Sequence, residues 1–228
     1  MRKIIAVGIS PSPELITCKA LEIIKKAPVV LVYDSDFPFD LQELLKDKKV
    51  IKLRPSFKEP NAIEENIKIL SSLEEEWGVF LEIGDPSIRN PLYYHILGGY
   101  KGFEIERVPG VSSVTAVFSR LGIHARHFCM LGAEEEGLLD SLIDRCDLFV
   151  IVNIHKENLK IFEKLREHSY EVTFVKDCCN EGEEISNEMK WDTYWVIAVA
   201  KKREFEGQSA KEEAERKTQQ TESVTKSK

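Results

Sequence analysis

The sequence predicts an α/β fold built around a mainly parallel sheet. Two observations carry that expectation. Short apolar, β-branched runs recur at Lys3–Val7, Pro28–Tyr33, Lys49–Leu53 and Val79–Ile83, and the intervals between them hold segments with apolar residues at helical spacing. Strands alternating with helices indicate βαβ units, whose crossovers make neighbouring strands run parallel.

The elements follow in order. Lys3–Val7 stops at Gly8-Ile9-Ser10-Pro11-Ser12-Pro13, and from Glu14 to Ala27 the residues Leu15, Cys18, Leu21 and Ile24 recur at helical spacing. This predicts strand, tight turn and helix. The second strand, Pro28–Tyr33, ends at Asp34-Ser35-Asp36, and Lys49–Leu53 is the third. Glu64–Glu76 reads as a helix with Ile67, Leu70 and Leu73 on one face, and Val79–Ile83 as a strand halted by Gly84-Asp85-Pro86. A helix is expected around Tyr93–Tyr100, a strand at Glu104–Val108, and a helix opened by Pro109-Gly110-Val111-Ser112-Ser113 and closed near Gly122. After that come a strand at Leu148–Asn153, a helix at Glu157–His168, and strands at Glu171–Lys176 and Tyr194–Ala200. The expected division is an N-terminal α/β domain over 1–121 and a C-terminal one over 122–203. Residues 204–228 are mostly Glu, Lys, Gln, Thr and Ser, cannot repay the entropy of ordering, and are expected to be disordered or frayed, with a short helix over Ala210–Arg216 as the alternative.

Composition narrows the class. Of 228 residues 43% are hydrophobic and 31% charged, a balance that can bury a core, and no run approaches the ~18 apolar residues of a membrane helix. Met1-Arg2-Lys3 leads into an apolar stretch too short for a signal peptide. A net charge of −7 provides no broad cationic field for a polyanion, so no nucleic-acid partner is expected. The five cysteines, Cys18, Cys129, Cys146, Cys178 and Cys179, include no CxxC pair and fit a reducing cytoplasm.

Three turns, Gly8–Pro13, Gly84–Ile88 and Pro109–Ser113, follow predicted strands. In a parallel sheet such turns gather at one edge, where small residues admit a ligand to the backbone and helix ends offer free N–H groups. A dinucleotide fingerprint is not met: positions 10 and 13, which would need glycine, are Ser10 and Pro13, and no Walker-type lysine follows. His124 and His127 have the spacing of one helical turn, but no further ligand completes a zinc set, and no metal is expected. Cys178-Cys179 read as packing or loop residues, since adjacent residues at a strand end cannot face one metal without strain. Ser112 and Ser113 suggest a helix cap, with no G-x-S-x-G elbow to make either a nucleophile. The runs Glu74–Glu76 and Glu134–Glu136 read as solvated helix faces, and Tyr93-Tyr94-His95 as a helix packed on the sheet.

Val7-Gly8-Ile9-Ser10-Pro11-Ser12-Pro13-Glu14-Leu15-Ile16-Thr17, Ala27-Pro28-Val29-Val30 leading to Tyr33-Asp34, then Gly84-Asp85-Pro86, then Pro109-Gly110-Val111-Ser112-Ser113 with Leu121-Gly122-Ile123 resemble, in order and spacing, the tetrapyrrole methylases. The resemblance implies a two-domain tetrapyrrole methylase fold, with a mixed sheet in the C-terminal domain. It also implies a homodimer and S-adenosylmethionine as methyl donor in the cleft between domains. By the same resemblance Pro11, Gly84, Asp85, Ile88, Ser112 and Ser113 contact the donor, Val152 and Asn153 add contacts from the C-terminal domain, and Asp34 is the proton acceptor. The segment Val175–Ile185 resembles the branch that methylates carbon 5 of precorrin-6Y or cobalt-precorrin-7 in cobalamin synthesis. Alternatives are another precorrin position, diphthine synthesis, ribosomal RNA methylation, or a non-catalytic donor-binding module. The first turn departs from the family's glycine-rich form: Ser10 and Ser12 replace two glycines, adding bulk where positive φ is easiest for glycine. Arg54, Lys58, Arg89 and Arg120 are candidate cations for substrate carboxylates.

Overall fold

The computed structural model describes residues 2–34, 37, 39–55, 61–89, 102–191, 193 and 195–203. The helix expected around Tyr93–Tyr100 and the tail 204–228 lie outside the described residues, as do Lys58 and the start of the strand expected at Tyr194. The chain divides into two compact units, the first comprising 1–125, 175–185 and 195–197, the second 126–174, 186–194 and 198–228.

The first unit carries β1 (Arg2–Gly8), α1 (Cys18–Lys26), β2 (Val29–Tyr33), α2 (Gln42–Leu45), β3 (Lys49–Leu53), α3 (Ala62–Ser71), β4 (Trp77–Glu82), β5 (Phe103–Val108) and α4 (Ser113–Arg120). The five strands form a sheet ordered β3-β2-β4-β1-β5, with every pairing parallel. Both faces are apolar, and the period of two sorts the side chains. Val30 and Val32 of β2 and Val79 and Leu81 of β4 join Ala20 and Ile24 of α1 on one face. Val29 and Leu31 of β2 and Phe80 of β4 join Leu70 of α3 on the other. Each fully buried Leu, Val or Phe stabilises this arrangement by roughly 1.5–3 kcal/mol.

From β1 the chain crosses to β2 on one side, whereas from β4, which lies beside β1, it proceeds to β5 on the other. Such a reversal leaves a crevice at the carboxyl ends of the two strands. The turns after β1 and β4 lie there, joined by the turn after β5.

The second unit is built on β6 (Cys129–Gly132), α5 (Glu136–Leu142), β7 (Leu148–Val152) and α6 (Lys160–Glu167), with β8 (Tyr170–Lys176), β9 (Glu184–Ser186) and β10 (Val196–Lys202) completing a sheet ordered β6-β7-β10-β8-β9. This sheet is mixed, since β6 runs parallel to β7 and β10 antiparallel to it. Its core carries edge-to-face ring pairs, Phe162 on Phe174 at 4.8 Å and Phe149 on Tyr170 at 5.4 Å.

Several local expectations are revised. Pro13–Leu15 form a 3-10 turn, and α1 starts only after Thr17, whose side chain accepts the Ala20 N–H at 3.1 Å and so caps it. Glu74–Glu76 follow α3, which ends at Ser71, and Glu75 pairs with Lys49 at 2.6 Å. His124 and His127 lie in irregular chain after α4, so no helical turn brings them together.

Candidate active site

The three turns predicted to converge do so backbone against backbone. A Cβ on Gly8 would stand 2.6 Å from the Gly110 nitrogen, one on Gly110 would stand 2.8 Å from the Gly8 carbonyl carbon, and each would come closer still to the Gly84 carbonyl oxygen. Only hydrogen fits at these two positions. Gly84 itself has φ 80, the left-handed region glycine reaches without cost, and the Ser112 and Ser113 backbones lie beside it. One glycine from each turn thus lets the ends of β1, β4 and β5 meet within a few ångströms.

The serines that replace glycine in the first turn are built in. Ser10 takes φ 65 regardless of its side chain and is fully buried. Its hydroxyl donates to the Leu15 carbonyl at 2.9 Å and accepts the Val111 N–H at 2.9 Å, fastening the first turn to the third. Ser12 is 1% exposed, and its Oγ is sealed from solvent without a hydrogen-bond partner. A buried hydroxyl in that state costs about 1–3 kcal/mol unless something else satisfies it. Pro11, between the two serines, is buried, and its carbonyl accepts from Asn180 Nδ2 at 2.9 Å.

In the second turn the Asp85 carboxylate accepts the Ser87 N–H at 2.7 Å, while the Asp85 carbonyl accepts the Ile88 N–H at 3.0 Å. These bonds leave Ile88 41% exposed. In the third, Ser112 caps α4 by accepting the Val114 N–H at 3.2 Å, and Ser113 opens the helix. Pro11, Gly84, Asp85, Ser112 and Ser113 therefore occupy turns held together at one sheet edge.

Asp34 follows β2 and is exposed. Lys52 Nζ lies 2.8 Å from its Oδ1, and hydrogen bonding and charge from Lys52 hold its carboxyl below the usual range. Val152 and Asn153 belong to the second unit. Val152 closes β7, and Asn153, at φ 55, donates from Nδ2 to Glu134 at 3.2 Å while its carbonyl accepts from Asn158 at 2.9 Å. Of the candidate cations, Arg54 pairs with Glu65, and Arg120 grips both carboxylate oxygens of Glu183, with Nε at 2.8 and 3.0 Å.

Two features were not anticipated. Glu82, the last residue of β4, interrupts the apolar run Trp77–Ile83 and faces Gly8 across the β1–β4 pairing, so β1 offers no side chain beside it. Its Oε2 is sealed and without a partner, and burial pushes its pKa up to about 8. An acid at the end of an apolar strand was visible in the sequence, but the sealing of its Oε2 was not. The second feature is the turn over residues 177–183: Cys178 and Cys179 are turn residues, as expected, and their two sulfurs meet at 3.6 Å. Left-handed backbone at Asp177 (φ 46) and Cys179 (φ 66) brings them together.

A family model described as "Tetrapyrrole (Corrin/Porphyrin) Methylases" matches residues 3–189. The chain belongs to this family. It is 32% identical over 127 residues to a uroporphyrinogen-III C-methyltransferase of Methanobacterium ivanovii, covering 53% of this chain and 54% of that protein. The chain spans about half or less of the length of the curated relatives it matches. Among solved structures it resembles the precorrin-6Y methylase of Archaeoglobus fulgidus, with TM-score 0.68 and 22% identity over 89% of this chain and 99% of that one. It also resembles a Thermus thermophilus uroporphyrin-III C-methyltransferase complexed with S-adenosyl homocysteine, with TM-score 0.67 and 20% identity over 87% of this chain and 97% of that one. At these identities the likeness shows a shared tetrapyrrole methylase fold.

Proposed function

We propose that this chain is an S-adenosylmethionine-dependent C-methyltransferase of corrinoid synthesis, acting on carbon 5 of precorrin-6Y or cobalt-precorrin-7. The observation that carries the donor assignment is the meeting of the Gly8, Gly84 and Gly110 turns at the carboxyl ends of β1, β4 and β5. A polar small molecule that uses backbone groups fits such a place. The donor, when bound, supplies a methyl group on a positively charged sulfur. Family membership and the fold shared with a precorrin-6Y methylase support the reading.

The residues then divide the work. Pro11, Gly84, Asp85 and Ile88 line the first two turns, while Ser112 and Ser113 present the amino-terminal N–H groups of α4. Holding the reacting carbons at near-attack distance is the protein's main task, and such positioning is worth ~7–11 kcal/mol. Val152 and Asn153 are further donor contacts in this reading. Asp34, which Lys52 keeps ionised, has free lone pairs to receive the proton released from the methylated carbon. A homodimer working in the cytoplasm, without nucleic acid, completes the proposal.

The test is incubation of purified protein with S-adenosylmethionine and each precorrin intermediate, read by mass spectrometry. A gain of one methyl on precorrin-6Y or cobalt-precorrin-7 is expected. Methylation of another precorrin, or of elongation factor instead, would overturn the carbon-5 assignment.

A further inference from the structure

Cys178, Cys179 and Glu183 place one potential ligand atom each within 4.8 Å of one another, the one cluster of this kind among the described residues. Adjacent residues of an extended strand point to opposite faces. Here the left-handed conformations of Asp177 and Cys179 overcome that, at a cost of about 1 kcal/mol or more per residue for a side chain other than glycine. Strain of this kind persists where the surrounding structure requires it.

The separation of the sulfurs identifies what they suit. A disulfide needs about 2.05 Å between sulfurs. Two thiolates on a tetrahedral cation, each bonded at about 2.3 Å, stand about 3.8 Å apart. The 3.6 Å observed is close to the tetrahedral edge. The third ligand is already oriented, because the Glu183 carboxylate is gripped by Arg120 and accepts the Cys179 N–H at 2.7 Å. Two thiolates and a carboxylate carry three negative charges, of which a divalent cation cancels two and the Arg120 guanidinium the third. The nearby Lys176 pairs with Glu184 at 3.0 Å and with Asp177 at 3.4 Å.

We propose that Cys178, Cys179 and Glu183 form a three-ligand site for a thiophilic divalent cation of the zinc class, with the fourth position open to water. Asn180 lies inside the ligating turn, and its Nδ2 donates to the Pro11 carbonyl at 2.9 Å. A cation closing the turn thereby braces the first turn of the candidate active site. The ligation does not rest on the methyltransferase reading and is tested apart from it.

The experiment uses the full chain, reduced and freed of metal, titrated with Zn²⁺ and separately with Cd²⁺. One ion per chain is expected, with the ultraviolet thiolate-to-cadmium charge-transfer band and a raised thermal unfolding midpoint. Cys178→Ser and Cys179→Ser should each weaken Zn²⁺ binding by about 100-fold, and Glu183→Gln by about tenfold. Cys18→Ser and Cys129→Ser should leave it unchanged. Wild-type protein that shows no charge-transfer band, or that takes up no more ion than the Cys178→Ser/Cys179→Ser double variant, overturns the site. The wild-type spectrum decides even if a variant fails to fold.

Discussion

Glu82 shows how far one residue's surroundings can move its chemistry. Its carboxyl ends a buried strand beside a glycine that provides no partner, and burial alone raises its pKa from 4.5 to about 8. The sign of the consequence follows from proton counting. Below about pH 4.5 folded and unfolded chains both hold the proton, and the group imposes no penalty. Between that value and about 8 the unfolded chain releases the proton while the folded one keeps it, so stability falls as pH rises, and above about 8 the loss is complete. Glu82→Gln keeps the shape of the protonated acid and removes the penalty. The variant should match wild type in urea unfolding at about pH 4 and exceed it by a few kcal/mol at about pH 8.5. A difference that does not change with pH would show that Glu82 ionises freely in the folded chain.

At the scale of elements, the turns after β1, β4 and β5 behave as one unit because glycine removes the bulk between them and Ser10 adds a fastening. Replacing Ser10 by Ala removes both hydrogen bonds, leaves the Val111 N–H and Leu15 carbonyl unsatisfied, and keeps a side chain at φ 65. A loss of roughly 2–3 kcal/mol is expected. Ser10→Gly loses the same bonds but relieves the backbone, so it should be milder by about 1 kcal/mol. Urea unfolding of the two variants checks the order, and a Ser10→Gly protein more stable than wild type would show that the hydroxyl fastens nothing. The turns were legible because glycine and proline interrupt apolar runs. The fastening was not, because Ser10 and Val111 are 101 residues apart in sequence. The strands of the first sheet were legible for the same reason as its turns. By contrast β6 has four residues and β9 three, with Ile185 of β9 49% exposed, too little pattern to betray a strand. The start of β4 at Trp77-Gly78 was hidden because the glycine reads as a turn, although it lies where a Cβ would stand 2.8 Å from Val29 Cγ1. The pairing of Cys178 with Cys179 was hidden because positive φ at a non-glycine residue leaves no mark in a sequence.

At the scale of the whole molecule, the parallel sheet and the reversal of strand order beside β1 mark the carboxyl ends of β1 and β4 as the place for a ligand. The claim on which the functional account turns is that the three joined turns hold the methyl donor. Isothermal titration of S-adenosyl homocysteine into the full chain, with Gly110→Ala in parallel, tests it most directly. Wild type should bind with a micromolar constant, and a Cβ driven against the Gly84 carbonyl and the Gly8 backbone should weaken binding by about 100-fold in a variant that keeps its circular dichroism. Wild-type protein that binds no donor product, or a folded Gly110→Ala chain that binds it unchanged, would contradict the account.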